Sequence, residues 1–550
     1  MLEVRWLGRV PYREALALQR ALFAHGVRDH LLLLEHPHVF THGPSADLVT
    51  NLRCDPAAVG ADLVATDRGG DVTYHGPGQL VGYPILSRPA KHGADGPADV
   101  RAYVCEIEQL VIDALARLGV PDAGRLDDHP GVWVEPRGPR PRKICAIGVR
   151  VGRGATPRRT MHGFALNVAP DLTYMREHIV PCGISDLPVT SLAEEGVHVT
   201  LREVADVVAT LAAARWGAGI ARRADVAWAD AGPGVAPAPR LSRGRRAEVP
   251  VDRKPEWLRP RVEISDAVLA TRRAVRDLGL VTVCEEAGCP NLSECWRDGT
   301  ATFMVLGDRC TRACGFCLVD TRVPLAPDAD EPRRVAEAAR RMGLAHVVLT
   351  MVARDDLADG GMRHVAECVR AIRAVVPGAR VETLVSDARG GDGLDEVIAA
   401  RPDVFNHNVE TVARLQREVR PSAGYARSLG VLARAREAGL VTKSGFMLGL
   451  GETEGEVEAT LVDLASVGVS IVTIGQYLRP TAAHLPVRSW PTPEDFARWA
   501  RVGEALGIAH VEASPLTRSS YHARAAHDAA AGAAAEAVTV PLRPRALVAT

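Results

Sequence analysis

The sequence predicts two folded domains of different classes, an α+β domain followed by an α/β domain built as a partial (β/α)6 barrel. In the first 228 residues, strand-like runs and helical periodicities alternate irregularly. After residue 300, strands and helices alternate regularly, which is typical of a parallel sheet whose strands are joined by helices. Residues 229–253 lie between the two patterns and are rich in Pro, Gly and Arg, which predicts a linker.

The composition of the 550 residues gives no sign of a charged partner. A net charge of −1 and a charged fraction of 24 % create no overall field that would attract nucleic acid or an anionic membrane. The first residues contain no apolar core of a signal peptide, and the aliphatic run at residues 31–34 is too short to span a bilayer. We therefore expect a cytoplasmic protein with no nucleic-acid or membrane partner and with reduced cysteines.

In the first domain, residues 31–34 predict a buried strand. Apolar residues at helical spacing predict two helices, one that begins at Val100 and one around Val204. Between these helices lie short β-rich runs at residues 81–86, 132–134, 144–151 and 164–168. Helices and short strands mixed in this way predict an α+β fold.

Three segments of the first domain could carry chemistry. The glycines of RGGDVTYHGPGQL, residues 68–80, would let the backbone approach a ligand, although most Gly-rich segments are simple turns. Lys143 opens an apolar strand, where a lysine is usually a solvated strand end. Cys182 lies between Pro181 and Gly183 in a turn that would expose it, whereas a free cysteine is usually buried and inert.

Together with GVWV, KICAIGVR, HGFALNV and PCGIS, these segments resemble the octanoyltransferases of lipoate biosynthesis, which have the biotin/lipoate ligase fold. The resemblance spans about residues 1–220. It implies that Cys182 carries the acyl group, and that Lys143 lowers the pKa of that thiol and shuttles protons. Cys145 lies two residues from Lys143 on the same predicted strand face and is a rival nucleophile. The resemblance also implies an acyl pocket formed by Arg68, Gly69, Gly70, Asp71, Val72, Thr73, Tyr74, His75, Ala146, Ile147, Gly148, Gly163, Phe164 and Ala165.

The second domain is predicted to begin near residue 254 with a helix over residues 265–278. Predicted strands follow at residues 302–306, 346–350, 380–385, 403–407, 441–448 and 471–476. In such a barrel the catalytic loops leave the carboxyl ends of the strands. The Ala-rich tail, residues 528–550, is predicted to be disordered or loosely packed.

Six of the eleven cysteines form two groups in this domain. Cys284, Cys289 and Cys295 have the spacing C-x4-C-x5-C, and Cys310, Cys314 and Cys317 have the spacing C-x3-C-x2-C. Thiolates are the usual ligands of iron–sulfur clusters, and three per group would leave one iron of a four-iron cluster open. Structural zinc is the alternative, but it usually takes four ligands arranged in C-x2-C pairs. Disulfides are not favoured in a reducing compartment.

The C-x3-C-x2-C motif resembles the signature of radical S-adenosylmethionine (SAM) enzymes. The first cysteine group, together with RSSYHA at residues 518–523, resembles lipoyl synthase, and this resemblance spans residues 254–527. It implies SAM and two [4Fe-4S] clusters, one on Cys310, Cys314 and Cys317, and an auxiliary one on Cys284, Cys289, Cys295 and Ser520. Two local departures from the family pattern are Met351 and Ala353 in the loop TMVARDDL, where Ser and Asp are expected.

Several polar residues lie at predicted carboxyl ends of strands and are candidate SAM contacts. They are Asn408, Glu410, Arg420 and Lys443, with Asn406 and the turn at residues 449–453 nearby. Capping or turn formation explains such residues equally well.

The combined resemblance implies a bifunctional enzyme of lipoate biosynthesis. An octanoyl group would pass from octanoyl-acyl-carrier protein to a lysine of a lipoyl domain, in a 2-oxoacid dehydrogenase or the glycine cleavage H protein. Radical chemistry would then insert two sulfurs at C6 and C8, with electrons from a ferredoxin or flavodoxin. Alternatives for the first half are an ATP-dependent lipoate ligase or a scaffold. Those for the second half are another radical SAM enzyme, such as a methylthiotransferase, or a non-catalytic metal-binding module.

Overall fold

The computed structural model describes residues 2–88, 98–127, 129–152, 158–181, 187–218, 221–226, 254–259, 266–286, 289–297, 300–388 and 393–530. The chain divides into two compact units, Met1–Ala229 with Gly424–Ala426, and Asp230–Ala423 with Arg427–Thr550. The predicted linker at residues 229–253 and most of the predicted tail lie outside the described residues. No helix in the described part of the chain combines the length and the apolar character needed to cross a membrane.

The first unit contains a large mixed sheet and a small one. Its strands are β1 (Leu2–Arg9), β2 (Asp29–Glu35), β3 (Val39–His42), β4 (Asp62–Ala65), β5 (Thr73–His75), β6 (Gln79–Ile85), β7 (Ser87–Arg88), β8 (Ala123–Leu126), β9 (His129–Val134), β10 (Arg142–Val151), β11 (Arg158–Asn167) and β12 (Ala221–Arg223). The main path of the large sheet runs β12-β1-β2-β6-β11-β10-β9-β8, and β7 pairs with β11. The small sheet has the order β4-β3-β5.

The helices of the first unit are α1 (Tyr12–His25), α2 (Leu48–Asn51), α3 (Val100–Arg117), α4 (Thr173–Arg176) and α5 (Leu201–Trp216). The two predicted helices are thus confirmed as α3 and α5, and the predicted strand at residues 31–34 as β2. Apolar side chains of α3 and α5, such as Ile107 and Val208, share one core with Leu33 of β2. This packing explains the helical spacing of apolar residues, because only one face of each helix meets the sheet.

The second unit contains an open sheet in the order β13-β14-β15-β16-β17-β18-β19-β20. Its strands are β13 (Val281–Thr282), β14 (Thr300–Val305), β15 (His346–Met351), β16 (Arg380–Leu384), β17 (Val404–Asn406), β18 (Val441–Leu448), β19 (Ile471–Gln476) and β20 (His510–Ala513). The strands from β14 to β20 are parallel, and β13 is antiparallel to β14. The six predicted strands are confirmed as β14 to β19.

The helices of the second unit are α6 (Asp266–Asp277), α7 (Val283–Glu286), α8 (Leu292–Arg297), α9 (Glu331–Arg341), α10 (Met362–Val375), α11 (Gly393–Ala400), α12 (Gln416–Val419), α13 (Tyr425–Glu437), α14 (Glu454–Ser466) and α15 (Pro493–Ala505). Short 3-10 turns lie at Ala57–Val59 in the first unit, and at Glu256–Leu258 and Ala413–Leu415 in the second.

Two sequence expectations for the second unit need correction. The seventh parallel strand, β20, was not predicted, because it is short and only its Val511 is fully buried, so hydrophobicity marks it weakly. The tail was expected to be loose from residue 528, but residues 523–530 are helical. Ala526 and Ala530 of this helix pack on Ile471 of β19. The small side chain of alanine permits this close contact, so the alanines of this helix allow it to pack on the sheet.

Candidate active sites

The first unit contains a cavity of about 50 Å³. Most of the predicted acyl-pocket residues line it: Arg68, Gly69, Gly70, Thr73, His75, Ala146, Ile147, Gly148, Gly163, Phe164 and Ala165. Tyr12, Val81, Tyr83 and His162 complete the lining. The remaining predicted residues, Asp71, Val72 and Tyr74, do not line the cavity. Val72 and Tyr74 point into a separate core, and the Asp71 carboxylate accepts a hydrogen bond from Asn51 Nδ2 at 2.7 Å.

Glycines shape this cavity by letting main chains approach closely. A Cβ atom on Gly163 would lie 2.2 Å from the carbonyl oxygen of Gly82, and one on Gly82 would lie 2.2 Å from the Phe164 ring. On the other side, Gly69 N donates to Val149 O at 3.2 Å, and a Cβ on Gly148 would lie 3.0 Å from Gly69 O. Side chains at these positions would displace the walls, so glycine is required for close approach.

Two polar residues of the cavity wall, Arg68 and His75, are hydrogen-bonded to other groups of the protein. Arg68 is buried and donates from NH2 to Thr41 O at 2.7 Å and to Asp71 O at 2.8 Å, which fixes its loop. His75 Nδ1 is 2.8 Å from Gln79 Oε1, and burial lowers the pKa of His75 well below its ordinary value. A neutral imidazole in a largely apolar wall suits an uncharged chain.

Lys143 lies at the start of β10 and is buried, with Nζ 5.3 Å from the centroid of the Trp133 ring. Its backbone pairs with a segment that follows the predicted nucleophile: Lys143 N donates to Pro188 O at 2.8 Å, and Thr190 N donates to Lys143 O at 2.9 Å. Cys182 itself lies outside the described residues. The structure therefore ties Lys143 to the chain six residues beyond Cys182, while the pairing of the two side chains stays a prediction.

Cys145, the rival nucleophile, is only 1 % exposed and does not line the cavity. Burial raises the pKa of its thiol far above the ordinary value, and the charge of Lys143 offsets this only in part. A protonated thiol is a poor nucleophile. The structure thus favours a packing role for Cys145.

The second unit contains a larger cavity of about 280 Å³, where both cysteine motifs meet the C-terminal RSS segment. Cys284, Cys289, Cys317 and Ser520 are among its lining residues. Cys295 instead lines a neighbouring cavity of about 100 Å³, which Ser520 also lines. The structure therefore gathers residues from three separate sequence motifs around one region.

The second cysteine loop leaves the carboxyl end of β14, as the barrel prediction requires. Cys310 N donates to Asp320 O at 2.8 Å, and Gly315 N donates to Val419 O at 2.9 Å, which fix the two sides of the loop. Burial raises the pKa of Cys314 to about 11 and that of Cys317 to about 12. Ligation must therefore displace protons from these thiols.

Both cysteine motifs offer thiol donors, which suit an iron–sulfur cluster. Within the described ranges, no group of three or more His, Cys, Asp or Glu side chains lies close enough to hold one metal ion. The donors present are thiols in two sets of three, which suit iron bridged by sulfide rather than a compact tetrahedral zinc site.

The two adjacent serines of the RSS segment differ in their contacts. Asn408 Nδ2 donates to Ser519 Oγ at 2.7 Å, and Ser519 Oγ lies 3.0 Å from Asn408 Oδ1. The hydroxyl of Ser520 has no hydrogen-bond partner in the described part of the chain. Ser520 is therefore the better placed of the two to bind iron.

The candidate SAM contacts separate into two groups. Asn408 and Glu410 line the large cavity, and Asn408 Nδ2 lies 3.1 Å from Glu410 Oε1. Burial raises the pKa of Glu410, although Arg420 opposes this. Arg420 is not in the lining; its NH1 donates to Asn408 O at 2.8 Å and so supports that segment.

Asn406 and Lys443 do not line the cavity and bind Glu382 instead. Lys443 Nζ lies 3.0 and 3.2 Å from the two oxygens of Glu382, and Asn406 Nδ2 donates to Glu382 Oε1 at 2.9 Å. The turn at residues 449–453 is also absent from the cavity lining. These contacts indicate a structural role inside the sheet for Asn406 and Lys443.

The Lys443→Met variant should destabilise the protein by about 3–5 kcal/mol at pH 7, because it leaves Glu382 buried without its cation. Burial raises the pKa of Glu382, but Lys443, with smaller contributions from His346 and Asn406, lowers it to about 2, below its ordinary 4.5. The pair therefore stabilises the fold fully above pH 4.5, and this contribution is lost as the pH falls towards 2.

Urea unfolding at pH 7 and at pH 3 measures this effect, and the difference in unfolding free energy between parent and variant should narrow at the lower pH. The control is Lys443→Met combined with Glu382→Gln, which removes the unpaired charge and should recover part of the loss. A single variant as stable as the parent at pH 7 would contradict the assignment.

Sequence reasoning missed several cavity residues. Arg518 is partly buried and lines the large cavity together with Cys289; desolvation lowers the pKa of Arg518, while the Cys289 thiol opposes the shift. Gln476 ends β19, so its place at the carboxyl end of a predicted strand could have identified it. Neither Tyr12 nor Tyr83 had such a signal. Tyr12 belongs to helix α1, which is far from the glycine motif in sequence.

Comparisons with known proteins agree with this geometry. Residues 304–464 match the family model of the radical SAM superfamily, and residues 11–212 match that of the lipoyl protein ligase A/B catalytic domain. Over 280 residues the chain is 54 % identical to the lipoyl synthase of Mycolicibacterium paratuberculosis, covering 51 % of this chain and 91 % of that protein. The chain belongs to the lipoyl synthase family. The lipoyl synthase of Rubrobacter xylanophilus is 53 % identical over 287 residues, covering 52 % of this chain and 88 % of that protein.

The lipoyl synthase half is joined to an N-terminal domain of the lipoate ligase and octanoyltransferase type, which confirms the predicted fusion. A solved structure of a bi-partite lipoate protein ligase and its E2 lipoyl domain from Thermoplasma acidophilum is 19 % identical, with a TM-score of 0.34, covering 41 % of this chain and 88 % of that chain. As a lipoyl synthase, the chain uses SAM and two [4Fe-4S] clusters and acts as a radical SAM sulfurtransferase in lipoate biosynthesis.

Proposed function

We propose that this chain carries out two consecutive steps of lipoate biosynthesis on one lipoyl domain. The first half transfers an octanoyl group from octanoyl-acyl-carrier protein to a lysine of the lipoyl domain. The second half inserts sulfur at C6 and C8 of that chain. The observation that carries the proposal is the cavity of the second unit, because residues of both cysteine motifs and Ser520 line it.

In the first step, the Cys182 thiolate attacks the thioester of octanoyl-acyl-carrier protein and releases the carrier thiol. The lysine amine of the lipoyl domain then attacks the new thioester, forms an amide and regenerates the Cys182 thiol. Lys143 accepts and returns the proton. The cavity beside β10 supports this role, since its apolar wall and neutral His75 suit an octanoyl chain.

In the second step, the cofactors supply hydrogen abstraction and sulfur when they are bound. Cys310, Cys314 and Cys317 hold the cluster that binds SAM, and Cys284, Cys289, Cys295 and Ser520 hold the auxiliary cluster. The Ser520 oxygen would be a harder and more easily displaced ligand than a thiolate, which would suit a cluster that supplies sulfur. Asn408 and Glu410 offer hydrogen-bonding groups to SAM on the cavity wall.

The intact mass of an apo lipoyl domain, incubated anaerobically with this protein, octanoyl-acyl-carrier protein, SAM and a reductant, tests the proposal. We expect octanoylation without SAM, and gain of two sulfurs when SAM is added. A domain that gains no octanoyl group would refute the first step, and an octanoylated domain that never gains sulfur would refute the second. Replacing the chemical reductant by a ferredoxin or a flavodoxin tests the proposed electron donor.

An ATP-dependent lipoate ligase is the second candidate for the first half, since the matching family model covers ligase A as well as ligase B. A ligase activates free acid as an acyl-adenylate and releases AMP. Incubation with octanoate, ATP and a lipoyl domain separates the two activities. AMP formation with octanoylation would favour the ligase, and transfer only from octanoyl-acyl-carrier protein would favour the transferase.

A further inference from the structure

A buried arginine links the second cysteine loop to the ends of two neighbouring strands. Arg312 lies between Cys310 and Cys314 and donates from Nε and NH2 to the two oxygens of Asp355, at 2.9 and 2.8 Å. The same NH2 forms an ion pair with Asp387 Oδ1 at 2.6 Å. Asp355 follows β15 and Asp387 follows β16. One guanidinium therefore connects three consecutive loops at the carboxyl edge of the sheet.

Hydrogen bonds also join the backbone next to Arg312 to the loop that contains Asp355. Thr311 N and Oγ1 donate to Ala353 O at 3.0 and 2.8 Å, and Asp355 N donates to Thr311 Oγ1 at 3.0 Å. Arg312 N donates to Cys310 Sγ at 3.4 Å. Hydrogen bonds to ligand sulfur tune the reduction potential of a cluster, so the conformation of this residue matters for its electronics.

A second arginine offers a matched comparison. Arg427, on α13, forms an ion pair with Asp387 Oδ2 at 3.0 Å. It is about as buried as Arg312, with 7 % of its side chain exposed against 4 % for Arg312. It binds the same carboxylate and carries the same charge. Within the described residues, the Arg427 side chain bonds to no residue of the cysteine loop, so this arginine separates the effect of the buried charges from the effect on the loop.

We propose that Arg312 is a positioning residue for the cluster on Cys310, Cys314 and Cys317. It holds the loop in the conformation that binds iron and keeps its own N–H on the sulfur of Cys310. The proposal rests on the proposed assignment of that cluster. The planar fork of arginine is needed, because a lysine ammonium cannot bind Asp355 through two parallel hydrogen bonds and also reach Asp387.

The test uses the full chain with Cys284, Cys289 and Cys295 replaced by alanine, so that all bound iron belongs to the second motif. Arg312→Lys and Arg427→Lys are made in this background and reconstituted anaerobically. Iron content, the rate of iron release to a chelator, and the electron paramagnetic resonance spectrum of the reduced cluster with and without SAM are measured. The background should hold about four irons per chain.

We expect Arg312→Lys to release iron about tenfold faster or more, the usual range for loss of a partner that orients a metal ligand. Its spectrum should also shift, whereas Arg427→Lys should match the background. Equal release rates in all three proteins would overturn the inference, as would equal acceleration by Arg427→Lys. A background that binds no iron would refute the cluster assignment itself.

If Arg312→Lys does not fold, Arg312→Gln combined with Asp355→Asn replaces it. This pair leaves no unpaired charge at Asp355, and Asp387 keeps Arg427. The same faster release and shifted spectrum are expected, and release at the background rate would again overturn the inference.

Discussion

Replacing Cys182 with serine should reduce octanoyl transfer by about 10³-fold or more, as the loss of a covalent nucleophile does in other enzymes. A serine hydroxyl ionises far less readily than a thiol, and Lys143 cannot compensate for that difference. Sulfur insertion into a lipoyl domain that already carries octanoate should be unchanged. Intact mass of the lipoyl domain measures both steps in the same variant.

Cys145→Ser is the matched control for this variant. Cys145 lies two residues from Lys143 but is buried, and burial holds the pKa of its thiol far above the ordinary value. Octanoyl transfer should therefore stay within about threefold of the parent, since a serine of similar size fills the same site. An active Cys182→Ser together with an inactive Cys145→Ser would make Cys145 the nucleophile and reverse our assignment.

Replacing Cys310 with alanine should abolish sulfur insertion, by about 10³-fold or more, and leave octanoyl transfer unchanged. The variant loses one of three thiolates of the second motif, so that cluster should be lost while the auxiliary one remains. Iron should fall from about eight to about four atoms per chain, by two clusters of four. Iron analysis and the mass of the lipoyl domain provide independent readouts.

Cys368→Ala is the control for this prediction. Cys368 is a buried cysteine of α10 that lies outside both motifs and belongs to the core of the same unit. Its replacement should leave iron content and sulfur insertion near the values of the parent. Sulfur insertion by Cys310→Ala at the parent rate would refute the role of the second cysteine motif.

Much of the fold could be predicted because its signals are local. The run of leucines in β2 and the helical spacing in α3 require only neighbouring residues to be recognised. Strand β20 was not predicted from the sequence, because it is stabilised by pairing with β19 rather than by its own apolar residues. The helix at residues 523–530 escaped for a similar reason, since its alanines matter only where they meet Ile471.

In the candidate sites, too, local motifs could be predicted from the sequence. A loop that presents three cysteines in eight residues is a chelating unit by itself, so the spacing of Cys310, Cys314 and Cys317 could be interpreted without a fold. Single polar residues were less predictable. Asn408 and Glu410 reach the cavity, whereas Lys443, equally polar and also near a strand, is buried against Glu382.

The sequence by itself determined the order of the two domains, the alternation of strands and helices in the second, and the two cysteine groups, because each depends on residues close together in the chain. Only the tertiary structure decided which distant groups meet. Among the residues that the structure describes, Ser519 is hydrogen-bonded to Asn408 while the Ser520 hydroxyl has no such partner, and Cys145 is buried. The tertiary structure also brought Asp355 and Asp387 to Arg312. Such contacts join side chains separated by tens of residues, and packing alone fixes them.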